Sequence, residues 1–431
     1  MGAESGAAET VDRAMLATII GRADEALAEK DLSQVNRLLR ALVQVGVEDA
    51  ALHRRLAEVC RRLGLDAHAA YHEGLAGSPV SPTTAGGASA PADPAAAAPR
   101  YLLIRAWGAG FWGDVAHVGH QLLLAEITGR IPVVYWGRES RYRRSRMDNA
   151  WEAYFQPVSP VRIADLERDD YDFFPPKWTH ANLRTPRINK DSGPWSRISG
   201  LYLQNRPERV VVSDYFTELD DILPFAAVGP APDAAASEAL LAACYRRHIK
   251  LMPHLKIAIE RFAAELLAER PVLGVHYRAP AFVKTLESAG KDTIGVETYF
   301  AEIDRFLEHH PSGSVFLMTD FVPALAEFQA RYGQRLKTRT VLRLVHAEDQ
   351  SLEYNTALDG RTLATEVIID VYLALASDRF LGDQVSGVTQ AVARLKEWPA
   401  DKITLFRRAG AWPLGFVRQH SDPTPWWNPP D

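Results

Sequence analysis

Cysteine is nearly absent: Cys60 and Cys244 are the only two among 431 residues, and both lie in segments with a helical pattern. Two thiols so far apart in sequence build neither a disulfide framework nor a multi-cysteine zinc site, so the chain reads as a protein of a reducing compartment. An excess of basic charge is missing too. A formal net charge of −5 gives no broad positive field, which removes nucleic acid as the main partner. No run approaches the roughly 20 consecutive apolar residues that a membrane-spanning helix needs. The opening MGAESGAAETVDRAML carries acids where a secretory signal carries positive charge, and Gly6 stands where a myristoylation pattern wants Ser or Thr. Together these absences predict a cytoplasmic protein with no transmembrane segment.

The length leaves room for two or three domains, each with its own core. Residues 12–76 set apolar side chains at i, i+3, i+4 and i+7, which predicts short helices over 14–27, 32–43, 50–63 and 67–75. The pattern resembles a tetratricopeptide-type helical hairpin with little more than one repeat; a helical cap or a self-association element is the alternative. Residues 77–99, GSPVSPTTAGGASAPADPAAAAP, have the composition of a linker. The organisation expected is a helical region over 1–76, a linker over 77–99, α/β domains over 100–235 and 236–412, and a tail over 413–431.

From residue 100 the periodicity changes. A strand over 101–106, a glycine-rich loop, a helix over 114–128 and a strand over 131–136 form a βαβ-like start, which predicts a parallel sheet with its ligand at the carboxyl edge. Residues 141–208, rich in Arg, Trp, Tyr, Pro and Asn, read as long loops, and a further strand is expected over 209–213. A helical stretch over 236–268, interrupted at Pro253, leads to a second alternation. Its strands are PVLGVHY, SVFLMTD, TVLRLVH and RFLGD, with helices over 296–308, 323–332, 362–377 and 385–395. The fold class is thus α/β, with two Rossmann-like domains facing a cleft.

The loop GAGFWG, residues 108–113, formally matches the dinucleotide fingerprint G-x-G-x-x-G. The fingerprint also requires an acid about 20 positions on, at the end of the second strand, to bind ribose hydroxyls. That strand ends in Tyr135, Trp136 and Gly137, with Glu139 the nearest acid, and Phe111 and Trp112 are bulky where a flat backbone is wanted. Gly110 and Gly113 are more economically read as a tight strand-to-helix turn whose amides face an oxygen-rich ligand, or as a turn alone. Asp114 either caps the helix or projects into the cleft.

The second half concentrates the chemistry. In GVHYRAP, period-2 geometry sends His276 and Arg278 to the same side at a strand's carboxyl edge. A guanidinium matches a phosphate pair by its planar fork and permanent charge. Asp320 ends the next strand. Gly382 and Ser386 sit before the last helix, where amides offer a seat for an anion. Asp370, within an apolar helix, is either a surface acid or a partner for the N–H edge of a purine. Strand-end Arg, strand-end Asp and helix-start Ser on successive units converge on one nucleotide-sized crevice.

In their order, GAGFWGDVAHVGHQLLLAEITGR, GVHYRAP, FLMTD and DVYLALASDRFLGDQVSGVTQAVARL resemble the GDP-fucose-dependent fucosyltransferases, namely the protein O-fucosyltransferases, α1,6-fucosyltransferases and the rhizobial nodulation fucosyltransferase. The resemblance covers roughly residues 100–400. It implies a GT-B fold and inverting transfer without a metal, the donor in the C-terminal domain and the acceptor mostly in the N-terminal one. It further implies that Arg278 grips the β-phosphate, His276 lines the nucleotide site, Asp370 binds guanine, Ser386 and its neighbouring amides hold phosphate, and Gly110–Asp114 faces the donor from the other domain. The chain departs from the pattern after Arg278, where APAFVK replaces a further Arg or Asp, and at Asp114, where many relatives have Asn.

No D-x-D pair stands in a suitable strand-end loop, so Arg278 with helix-start amides is the natural absorber of the charge that builds on a departing diphosphate. Asp114 and Glu139 are the candidate bases for an acceptor hydroxyl. WEAYF, residues 151–155, either stacks on sugar faces or simply packs. Two other functions fit the same residues: a glycosyltransferase using another nucleotide sugar, and a nucleotide-binding scaffold that has lost catalysis. No cofactor beyond the donor substrate is expected; the acceptor is a glycan or protein hydroxyl, and the helical N-terminal region is a candidate surface for a protein partner or self-association.

Overall fold

The computed structural model describes residues 98–406, apart from 109, 139, 144–148, 175–176, 187–207, 215–233, 279–293, 347–348, 350, 353–354 and 385, together with scattered positions between 54 and 76. The expected N-terminal helices (save those scattered positions), nearly all of the linker, the C-terminal tail and Glu139 therefore lie outside the described residues. Among the described residues no helix is long and apolar enough to cross a membrane.

Two parallel sheets carry the chain. The first joins β1 (Tyr101–Arg105), β2 (Ile131–Tyr135), β3 (Phe173–Phe174) and β4 (Val210–Ser213) in the order β2-β1-β4-β3, with α1 (Phe111–Thr128) crossing from β1 to β2. The chain then runs through α2 (Ala234–His248) and α3 (Pro253–Leu266), broken where Pro253 begins a new helix with its missing N–H at a position that needs none. The second sheet has β5 (Val272–Tyr277), β6 (Ser314–Thr319), β7 (Leu336–Lys337), β8 (Arg379–Asp383) and β9 (Ile403–Phe406) in the order β7-β6-β5-β8-β9. Its helices are α4 (Val296–His309), α5 (Val322–Tyr332), α6 (Gly360–Leu375) and α7 (Gly387–Leu395).

Strand alternation sorts the side chains. Leu102, Ile104, Val272, Phe316, Met318 and Phe380 face one large core that also takes in α1, α2, α3, α6 and α7, whereas Leu103, Val275, Leu317 and Leu381 face the outer cores. His276 continues the inner parity of Val272, and Asp320 that of Met318. The inner core thus runs unbroken between the two sheets. Hydrogen bonds cross with it, from Trp112 Nε1 to the Val367 carbonyl at 3.4 Å and from Arg141 Nη2 to the Asn355 carbonyl at 2.9 Å.

One expected strand does not form. Of TVLRLVH only Leu344 makes a bridge, to Phe321, and the place beside β6 is taken by Leu336–Lys337. Arg343 explains the displacement, since its guanidinium reaches the carbonyls of Thr319 and Arg339 and the Thr338 hydroxyl, which loops the segment over the sheet edge and leaves Leu342 and Val345 exposed.

Candidate active site

Each sheet has a point where its strand order turns back, and ligands in open α/β sheets bind outside the carboxyl ends there. In the first sheet β1 is flanked by β2 and β4, so this point lies beyond Arg105, where the glycine loop begins. In the second, β5 is flanked by β6 and β8, so it lies beyond Tyr277 and Asp383, where Arg278 and Ser386 stand. The two points meet. A Cβ built on Gly387, the first residue of α7, would lie 3.5 Å from the Gly113 amide nitrogen, and so the starts of α1 and α7 abut. Two helix N-termini, each with amides unsatisfied within the helix, thus lie side by side.

Arg278 and Asp320 come together as the sequence suggests, with Nη1 of the guanidinium 2.5 Å from Oδ2 and both side chains less than one-fifth exposed. His276 is buried, and its Nδ1 lies 2.9 Å from the Thr389 hydroxyl on α7. Gly382, opposite His276 in the β5–β8 register, makes that contact possible, because a Cβ there would stand 2.7 Å from Thr389 Oγ1. Ser386 is the residue before α7, buried, with an extended backbone and no capping bond from its side chain.

Burial, then the field of Arg278, lowers the His276 pKa to about 3, and burial with Arg394 and His117 pushes that of His120 on α1 well below its ordinary value. His276 is therefore a neutral hydrogen-bonding group at working pH and not a proton shuttle. Both groups bind fewer protons folded than unfolded below their ordinary value of 6.5, so stability is present above that pH and declines as pH falls from 6.5 toward 3. The decline is expected at no more than about 1.4 kcal/mol per pH unit for each histidine. Histidine ring proton shifts in NMR spectra that stay flat for these two residues between pH 8 and 5 would agree with it; titration of either near 6.5 would refute it.

Asp370 sits on α6 with its Oδ1 2.8 Å from Arg339 Nη1, and burial pushes its pKa upward against the pull of Arg339 and Arg343. The Arg343 guanidinium, its pKa lowered chiefly by burial, feels the charges of Asp370, Glu366 and Asp320. Asp114 is buried and turns back so that its Oδ1 accepts the Gly108 N–H at 2.8 Å, steadying a loop in which Gly108 has φ +91°. Gly110, with φ −58° and ψ 159°, sets the helix start three residues earlier than the sequence suggests.

Several groups at these edges escape sequence reading. Arg105, the last residue of β1, is buried over the Trp178 ring at 4.9 Å and donates to the Leu183 carbonyl. Lys177 meets Asp214, just after β4, at 2.7 Å. Arg339 and Arg343 belong with them; nothing in a lone Arg within a weakly patterned segment announces its partner. Trp151, Tyr154 and Phe155 of WEAYF are buried against Phe111 and one another, so packing is their occupation. Among the described residues, the metal-capable cluster Glu126, Cys244 and His248 lies ~20 Å along α1 from Gly113. There the Glu126 carboxylate is gripped by Arg247 at 2.6 Å and His248 at 2.7 Å, an electrostatic staple between α1 and α2.

No family model matches the chain, and no curated protein matches it. Among solved structures it is similar to the NodZ α-1,6-fucosyltransferase co-crystallized with GDP, at 18% identity and a TM-score of 0.45, over 69% of this chain and 92% of that one. It is likewise similar to the fucosyltransferase NodZ from Bradyrhizobium, at 18% identity and a TM-score of 0.44, over 69% and 92% of the two chains. A third similar structure is POFUT1 in complex with GDP, at 14% identity and a TM-score of 0.45, over 72% and 99%.

Proposed function

We propose that this chain is a glycosyltransferase of GT-B type that moves fucose from GDP-fucose to a hydroxyl of a glycan or protein, with inversion and without a metal. The observation that carries the reading is the place of Arg278: at the turning point of a parallel sheet, on its inner face, two residues beyond the His276 that meets Thr389 of α7. In the displacement the acceptor oxygen forms a bond to the anomeric carbon as the bond from that carbon to the diphosphate breaks. The diphosphate leaves with the electron pair, and the acceptor proton passes to a base or to water.

Arg278 meets the charge growing on the leaving oxygen, and the Ser386 hydroxyl with the first amides of α7 receives the phosphates. Neutral His276, its Nδ1 fixed by Thr389, presents its other ring nitrogen to the nucleotide. Asp370, held by Arg339, faces the base edge. The Asp114 carboxylate is engaged by the Gly108 amide, and we assign it the role of holding the glycine loop toward the donor. Glu139 follows β2 and stays the candidate base.

A thermal-shift panel of GDP, UDP and TDP tests the reading at low cost, because a ligand that binds the folded state alone raises its stability by about 2.7 kcal/mol at a hundredfold excess over Kd. GDP is expected to raise the melting temperature most, and GDP-fucose to be hydrolysed or transferred. A larger response to UDP or TDP would assign another sugar donor, tight GDP binding without turnover would make the chain a binding protein, and no response to any of the three would sink the proposal.

A further inference from the structure

The Arg278–Asp320 pair raises a question of its own, because a guanidinium read as meant for a diphosphate is met by a carboxylate from the neighbouring strand. The pairing follows from register. Tyr277 of β5 lies opposite Thr319 of β6, so the residues one step further, Arg278 and Asp320, stand side by side at the carboxyl edge. Asp320 is held by its backbone as well, its carbonyl accepting the Leu344 N–H at 2.8 Å. Arg343, on the same looped segment, reaches the Thr319 carbonyl and feels the Asp320 charge. The carboxylate is thus bonded to one guanidinium and lies within the field of a second.

We infer that Asp320 is a positioning residue that aims Arg278 and, by competing with the product diphosphate for that guanidinium, limits how tightly the spent nucleotide is retained. The inference rests on the reading of the site as a nucleoside-diphosphate crevice. Its physical basis is simple. An arginine facing only phosphate and amides would hold a product of two or more negative charges very firmly, and release would then limit turnover. A carboxylate bonded to the same guanidinium repels that product while leaving Arg278 pointed at it. Charge growing on the leaving oxygen still meets the guanidinium, but the departed diphosphate finds a rival anion already in contact with its chief cation.

Isothermal titration of the full chain with GDP, UDP and TDP, on the wild type and on Asp320→Asn, Arg278→Ala and the double variant, decides the matter. Asn is isosteric and keeps the backbone bond to Leu344; Asp320→Ser is the second variant should Asn perturb the fold. Asp320→Asn is expected to bind the preferred diphosphate about ten- to hundred-fold more tightly. Its multiple-turnover rate should fall more than its single-turnover rate, because slowed product release adds to whatever the looser aim of Arg278 costs the chemical step. In the Arg278→Ala background the same replacement should tighten binding much less, since the competition acts through that side chain. Unchanged or weaker binding by Asp320→Asn, with the wild type still binding a diphosphate, would overturn the inference and leave the reading of the site intact. If the wild type bound none of the three, both would fall.

Discussion

Replacing Arg278 by Ala is expected to lower turnover of the sugar donor about 10²- to 10³-fold, the usual consequence of removing one preorganised charge-stabilising group. The effect belongs in kcat, because the guanidinium matters most when the bond to the diphosphate is breaking and negative charge is largest. Arg278→Lys should recover only part of the loss. An ammonium supplies the charge but not the planar fork, and its shorter reach does not keep the Asp320 contact seen at 2.5 Å. A chelator should leave wild-type turnover unchanged. Steady-state kinetics on the three proteins, with and without EDTA, check all of this together; an Ala variant within tenfold of the wild type, or turnover abolished by EDTA, would count decisively against a guanidinium-borne mechanism.

Gly119→Ala is expected to cost about 3 kcal/mol of stability, near the upper end for overpacking a close-fitted core. Gly119 lies at mid-length of α1, where a Cβ would come within 2.0 Å of Cε2 and 2.6 Å of Cζ of Tyr245 on α2. Nothing there yields easily. The Tyr245 ring is 1% exposed and has the Arg394 guanidinium 5.5 Å from its centre, and Arg394 in turn pairs with Glu238 at 2.5 Å. The added methyl must push α2 away from α1 or turn the ring out of its place, and either movement loosens α7, which carries Arg394. Guanidinium unfolding followed by tryptophan fluorescence would show the midpoint fall. Tyr245→Leu in the Gly119→Ala background should regain part of the loss by making room, a coupling that independent sites would not show.

The sheet strands and their helices were largely legible because each depends on local alternation and local breaks. Hydrophobic runs ending in GVHYR, FLMTD and RFLGD gave strands whose last residues reach one edge, and Pro253 gave a helix start. Helix α1 begins three residues before the expected Asp114, because Phe111 and Trp112, which the glycine spacing puts in a loop, turn inward into the cluster with Trp136, Tyr142, Tyr154 and Phe155. TVLRLVH has strand composition and no strand partner, since its place beside β6 goes to two residues with little hydrophobic pattern of their own. Pairings between distant residues were the least visible. His276 with Thr389, Arg339 with Asp370 and Asp114 with the Gly108 amide depend on the angle at which elements cross, a quantity that no residue spacing encodes. The dual reading of Asp114 could only be narrowed by seeing where its carboxylate turns.

The core that runs unbroken between the two sheets sets a limit on how the two halves can move apart. A clamshell movement, with the halves swinging about a hinge, would strip Leu102 and Ile104 on one side and Phe316 and Phe380 on the other from a common apolar filling. It would also tear Gly360 from the Arg141 carbonyl, against which a Cβ would stand only 2.2 Å away. Hinged opening would therefore cost the burial of side chains that the two halves share, and the common filling holds them at one spacing.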